Sequence, residues 1–212
     1  ERWFTADVSH ELRTPLTIML GAAEVLTSRL QDRPDLLVMT ERIRRNASET
    51  AQQVGALLQL ARVPEITDLV LINLRPLIER ELERCQPLLR GKALTLNLFC
   101  TEEVSVRAIP ELVTIAVSNL LRNACQHTEQ GSITVCLSAA GIVVEDCGTG
   151  LPEAVRARLF DRFVRGDDDF TSGSGLGLSI VKRVTEHLGW NVQHEPSPGG
   201  GSRFTLRFSH SV

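Results

Sequence analysis

The segment "FTADVSHELRTPL", residues 4–16, sets an imidazole (His10), a carboxylate (Glu11) and a hydroxyl (Thr14) beside a proline (Pro15). An unperturbed imidazole, with a pKa of about 6.5, is largely neutral at pH 7 and offers one ring nitrogen as a nucleophile. Attack by that nitrogen requires the proton on the other one to be held and then taken, which suits an adjacent carboxylate. Successive helical residues point about 100° apart, so His10 and Glu11 would not ordinarily face each other. Pro15 offers a reason that they could. It removes the amide that would bond the Glu11 carbonyl, and it bends the helix at that turn. Thr14, four residues after His10, falls on the same face. The plain alternative is a polar histidine beside the core face of an amphipathic helix.

Three further motifs carry polar groups suited to a nucleotide. Asn119 and Asn123, four apart on a predicted helix from Pro110 to about Gln126, share one face. Their amide oxygens are hard, neutral ligands, suited to a Mg²⁺ that keeps most of its water and takes charge balance from phosphates. "VVEDCGTGLP" ends an apolar strand in Asp146, which can accept an exocyclic amino proton from adenine, while Gly148 and Gly150 let backbone come close to the base. "SGSGLGLSIV", with Gly173, Gly175, Leu176 and Gly177, runs directly into an apolar helix. Free N–H groups and the positive helix end would cradle phosphates there. It is neither a P-loop nor a dinucleotide fingerprint. Between the last two motifs, Arg162 and Arg165 of "LFDRFVRGD" can answer triphosphate charge. Alone, each motif has a bland reading: helix-surface hydrogen bonding, an Asp-Gly turn, a solvated loop.

The elements that must position these groups divide the chain. Residues 1–62 read as helix throughout. The second half carries Leu36, Thr40, Ile43, Ala47, Thr50, Val54, Leu57 and Ala61, an alternating 4-3 spacing that makes an unbroken heptad seam. Phe4, Val8, Leu12, Met19, Ala23, Leu26 and Leu30 repeat the theme in the first half, and "QDRPD" supplies the turn. One hairpin cannot bury both seams, so a symmetric partner completing a four-helix bundle is expected; docking onto the rest of the chain is the alternative. "RVPEITD", around Pro64, reads as an interdomain linker at 63–68. From residue 69 onward the pattern predicts a strand at 69–73, a helix at 75–90 disturbed by Pro87, and a strand at 93–99. Strands over "SITVCLS" and "GIVVED", a short helix near 153–159, a helix over 177–187 and a closing hairpin follow. The expected fold is therefore multidomain: an all-α helical hairpin forming a dimeric four-helix bundle, then an α+β domain with one helical layer on one mixed sheet.

Composition narrows the classes. Of the 212 residues, 42% are hydrophobic and 23% charged, as in an ordinary soluble domain. A net charge of −3 gives no electrostatic reason to expect nucleic acid as a partner. No apolar run approaches the roughly 18–20 residues that span a bilayer. The chain opens inside a helical pattern without an initiator Met, so a longer parent is expected, with any membrane anchor in the missing part. Five scattered cysteines without CxxC spacing argue against a disulfide framework or a zinc site.

Taken in order, Asn-x-x-x-Asn in "NLLRNACQH", Asp-x-Gly-x-Gly, "FDRF" and Gly-x-Gly-x-Gly-Leu resemble the ATP-binding domain of bacterial two-component sensor histidine kinases. "FTADVSHELRTPL" resembles their phosphoacceptor box, so the likeness covers nearly the whole chain. It implies ATP and Mg²⁺ as cofactors, with Mg²⁺ on Asn123 helped by Asn119, and Asp146 selecting adenine. Gly173, Gly175 and Gly177 would shape the phosphate loop, and Arg162 and Arg165 would steady the γ-phosphoryl. His10 would accept the phosphoryl group, Glu11 would orient it, and Thr14 would help dephosphorylate the partner regulator. The implied partners are a second copy, through the hairpin, and a response regulator receiver domain. The implied location is the cytoplasmic portion of an inner-membrane sensor.

Two rivals remain at this stage. Related ATPases of the gyrase B, MutL and Hsp90 superfamily place a glutamate four residues before the metal asparagine; here that position is Asn119, which cannot activate water. The other rival is a degenerate interaction module. Gln126 stands where relatives often carry Lys, and Ser172 where Gly is frequent, and both changes would weaken ATP affinity.

Overall fold

The computed structural model of the chain describes residues 2–30, 32–44, 47, 50, 69–160 and 177–209. It forms two compact units, Glu1–Thr67 and Asp68–Val212.

In the first unit, helix α1 (Arg2–Arg29) continues through Pro15. A short turn follows, in which the Arg33 N–H donates to the Leu30 carbonyl at 2.9 Å. Pro34 opens α2 (34–44), where its missing N–H costs no hydrogen bond. Small residues let the two helices approach: Ala23, Thr40 and Ala47 are buried. The Thr40 hydroxyl is absorbed by the Leu36 carbonyl at 2.8 Å. Glu24 on α1 adds to the rise in the Arg44 pKa, after the larger effect of the hydrogen bond from Arg44 to Glu41. Among the described residues the heptad seam is only partly closed within one chain. Met19, Leu26 and Ile43 stay 47%, 46% and 54% exposed.

The second unit is an α/β sandwich. Its five-stranded sheet has the order β2-β4-β5-β7-β6, formed by Ala93–Cys100, Gln130–Ser138, Gly141–Asp146, Ser202–Arg207 and Asn191–Pro196 respectively. β2 and β4 are parallel, in register from Ala93↔Gln130 to Cys100↔Leu137, and the other pairs are antiparallel. A parallel pair needs a crossover, and α4 (Pro110–His127) provides it. Alternation along the strands sends Ile133, Val135, Leu137, Ile142, Val144, Phe204 and Leu206 to one face, all at most 1% exposed. The apolar stripes of α3 (Leu74–Cys85), α4 and α6 (Gly177–His187) are buried as well, Ile78, Leu120 and Val181 among them. α5 (Glu153–Arg156) is a single turn.

Two local features depart from the sequence reading. β3 (Ser105–Ala108) pairs antiparallel with β1 (Val70–Asn73) as a separate two-stranded sheet. The helix predicted over 75–90 ends at Cys85, and Gln86–Leu89 is a 3₁₀ turn, because Pro87 has no N–H to continue an α-helical ladder. Gly141 opens β5, as the run "GIVVED" predicts, and a Cβ there would lie 2.1 Å from the Leu206 carbonyl.

Candidate functional site

Asp146 is the last residue of β5 and pairs with Ile133 of β4. Alternation separates it from its neighbour. Glu145 points to the opposite face, where Arg203 donates at 2.9 Å and the Ser197 hydroxyl at 2.5 Å. Asp146 points inward and is 3% exposed. Its Oδ1 accepts two backbone N–H groups, from Gly148 at 2.9 Å and Ser202 at 3.2 Å. Both donors engage Oδ1, which fixes the carboxylate plane. Burial raises the Asp146 pKa; the bonds from Gly148 and Ser202 and the nearby His127 oppose the rise without cancelling it. Burial lowers the His127 pKa and Lys92 adds to the fall, whereas Asp146 opposes it. His127 is therefore a neutral imidazole at neutral pH, beside a desolvated carboxylate.

The surrounding wall is backbone, because there is no room for side chains. A Cβ on Gly148 would sit 2.3 Å from the His127 carbonyl oxygen and 3.0 Å from Asp146 Oδ1. On Gly201 it would sit 2.2 Å from the Asp146 carbonyl, and Gly201 has φ +80°. Gly150, at φ +69°, lies against Gly201, with a virtual Cβ 3.1 Å from the Gly201 oxygen. Each close approach ties the turn after β5 to α4 or to the start of β7.

α4 supplies the amides. Asn119 donates Nδ2 to the Ile115 carbonyl one turn back at 2.8 Å. This settles the orientation of its amide and turns Oδ1 toward the start of α6, where a Cβ on Gly177 would be 3.2 Å away. Asn123 follows one turn later, half-buried. The structure thus brings together Asp146, Gly148 and Gly150, and joins Asn119 to Gly177. Arg162, Arg165, Gly173, Gly175 and Leu176 lie outside the described residues. His10, Glu11 and Thr14 fall within α1, ahead of Pro15. Gly201, Ser202 and His127 were not singled out from sequence. The run "PSPGGG" reads there only as a hairpin turn, and His127 lies just past the predicted helix end near Gln126.

Among the described residues no cluster of three or more His, Cys, Asp or Glu could hold a metal. The available donors are neutral amide oxygens, which fit a hydrated Mg²⁺ whose charge is balanced by a ligand's phosphates and fit a bare cation poorly.

Residues 2–65 match the family described as "His Kinase A (phospho-acceptor) domain". Residues 108–211 match "Histidine kinase-, DNA gyrase B-, and HSP90-like ATPase". The chain belongs to the sensor histidine kinases. This histidine kinase chain is 35% identical over 223 residues to the sensor histidine kinase AruS of Pseudomonas aeruginosa, covering 95% of the chain and 22% of AruS. It is 33% identical over 210 residues to the sensor protein QseC of Escherichia coli K12, covering 95% of the chain and 46% of QseC. The kinase chain therefore spans less than half the length of these curated relatives. Among solved structures it resembles full-length ShkA in complex with AMPPNP, with TM-score 0.69 and 25% identity, covering 99% of the chain and 47% of ShkA. Acinetobacter baumannii AdeS shares the fold at TM-score 0.64 and 20% identity, covering 96% of the chain and 98% of AdeS. No described helix of the kinase chain is long and apolar enough to cross a membrane.

Proposed function

We propose that this chain is the phosphoacceptor and catalytic part of a sensor kinase. ATP held by the second unit gives its γ-phosphoryl group to His10, and the group then passes to an aspartate of a response regulator receiver domain. Buried Asp146 carries the reading. A carboxylate fixed by two backbone donors and walled by glycines is built to read one hydrogen-bond donor, as on the exocyclic amine of adenine. Asn123, helped by Asn119, would hold Mg²⁺, which would supply charge neutralisation across the phosphates. Arg162 and Arg165 steady the γ-phosphoryl, and the glycines from 173 to 177 let backbone approach it.

The transfer itself is positioning chemistry. A neutral His10 nitrogen attacks the γ-phosphorus as the bond to the β-γ bridging oxygen breaks and ADP leaves. Glu11 holds the proton on the other ring nitrogen and takes it as the phosphoimidazole forms. Thr14, on the same helical face as His10, positions water for hydrolysis of the phosphorylated regulator, which makes the chain bifunctional. Asn119 disfavours simple ATP hydrolysis. Its Nδ2 donates to Ile115, and its amide oxygen is too weakly basic to take a proton from water. The exposed Met19, Leu26 and Ile43 support a homodimer that completes a four-helix bundle, with residues 63–68 as the linker.

Labelling with γ-labelled ATP tests the reading. Wild-type chain should acquire acid-labile, alkali-stable label, while His10→Gln should acquire none and still bind nucleotide. Label retained by His10→Gln, or release of free phosphate with no labelled protein, refutes it.

A further inference from the structure

The nucleotide site is built on two supports, the α4 face bearing Asn119 and Asn123 and the turn after β5 bearing Asp146 and Gly148. They meet at the C-terminal end of α4, where the His127 carbonyl backs against Gly148 closely enough to exclude a Cβ. A helix end leaves its last carbonyls without intrahelical partners. Here a side chain from another element takes two of the carbonyls at this end. Lys92, the residue before β2, donates Nζ to the Cys125 carbonyl at 2.7 Å and to the Thr128 carbonyl at 3.0 Å. Its third partner is Glu129 Oε1 at 3.0 Å. The Lys92 side chain is 17% exposed, whereas Glu129 is 77% exposed. The ammonium therefore belongs to the helix end, and Glu129 is its solvent-side counterion.

We propose that Lys92 is a positioning residue of the nucleotide site: it clamps the last turn of α4, and through it sets the amide face and the Asp146–Gly148 turn relative to each other. The inference rests on the nucleotide reading above. Charge-assisted bonds to carbonyls are about twice as strong as neutral ones, and a cation at a helix C-terminus also opposes the helix dipole. The geometry is set by the strands. β2 lies parallel to β4, with Ala93 opposite Gln130, so the residue before β2 reaches the chain just before β4, where Thr128 and Glu129 lie. Without the clamp, the Cys125 and Thr128 carbonyls lose their cation. The His127 carbonyl between them is then no longer held at the distance that Gly148 requires. Lys92 touches no reacting atom, so its removal should act on affinity through geometry.

The test uses the full 212-residue chain, AMPPNP with Mg²⁺ as probe, and calorimetry at a temperature where every variant is folded. Lys92→Met should raise Kd at least about tenfold, a loss of about 1.4 kcal/mol in binding. Lys92→Arg, which keeps donors and charge, should recover most of the affinity. Glu129→Gln, which leaves both carbonyl bonds in place, should bind like wild type. Val192→Ala on β6, a core truncation that lowers Tm, should not change Kd. Should Lys92→Met fail to fold, Lys92→Gln, whose amide can serve one carbonyl, is read the same way. Wild-type affinity in Lys92→Met, or an equal loss in Val192→Ala at matched Tm, overturns this inference alone. A wild-type chain that binds no AMPPNP overturns the nucleotide reading and this inference with it.

Discussion

Replacing Gly148 by alanine tests the site with a single methyl group. Gly148 has no positive φ, so alanine carries no intrinsic backbone penalty there, and its whole effect is steric. The added Cβ would meet the His127 carbonyl oxygen at 2.3 Å and Asp146 Oδ1 at 3.0 Å. Even close C–H···O contacts keep carbon and oxygen about 3.3 Å apart, so the turn or the end of α4 must yield by roughly 1 Å. Overpacking of this kind costs about 1–3 kcal/mol, which leaves a domain of ordinary stability, about 5–15 kcal/mol, still folded. A displacement of about 1 Å at a positioning contact can cost on the order of 10²-fold in rate. Gly148→Ala should therefore remain folded by circular dichroism, while its rate of phosphoryl incorporation falls by that order. Gly199→Ala is the matched control, because nothing lies within 4 Å of its virtual Cβ. If Gly148→Ala labels as fast as the control, the turn after β5 is not the wall of the nucleotide site.

Asp146→Asn should separate stability from binding. Burial makes the folded pKa of Asp146 higher than its unfolded value, so its contribution is full below the unfolded pKa and is lost as pH rises through the folded one. At pH 7 the asparagine variant should melt at or above the wild-type temperature yet lose nucleotide affinity; a lower Tm that persists at every pH contradicts this. Glu145→Gln should do the reverse. Burial tends to raise the Glu145 pKa, but the Ser197 and Arg203 bonds outweigh it and hold the pKa low. Its contribution is therefore present above the unfolded pKa and disappears as pH falls through the folded one. The loss at pH 7 should be about 1 kcal/mol or less for a partly exposed pair, and the Tm gap to wild type should close under acid. On the hairpin, Ile43→Asp should weaken self-association in sedimentation, since Ile43 is an apolar residue 54% exposed in one chain; an unchanged dimer would exclude this face from the interface.

The sequence carried the long elements well. Pro110 announced the start of α4, and "GIVVED" ran apolar up to Asp146 because that strand lies between two others with one face under helices. What escaped were features made by contacts distant in sequence. "SVRA" has four residues and only Val106 and Ala108 as an apolar pair, too little for a period-2 signal, and it is a strand because β1 pairs with it. Gly201 reads as part of a hairpin turn and Ser202 as the start of a strand, because nothing local reveals that the Asp146 carbonyl lies 2.2 Å from a virtual Cβ on one and that the Asp146 carboxylate accepts the other's N–H. Lys92 was one lysine among surface charges until the parallel pairing of β2 with β4 brought it to the end of a helix 33 residues away. The placement of Asn119 and Asn123 one turn apart on α4, and of Asp146 at the end of β5, was legible because helix periodicity and strand ends are local properties.

β5 has a hydrogen-bonded neighbour along both edges, β4 on one side and β7 on the other. Such a strand belongs to the last part of a domain to open, and its amides should be among the slowest to exchange with deuterium. On the proposed function, the carboxylate that would read the base is thus mounted on the central strand of the sheet. Ligand escape cannot be timed by fraying of that mount, so residence time must be governed by groups that approach from outside the sheet.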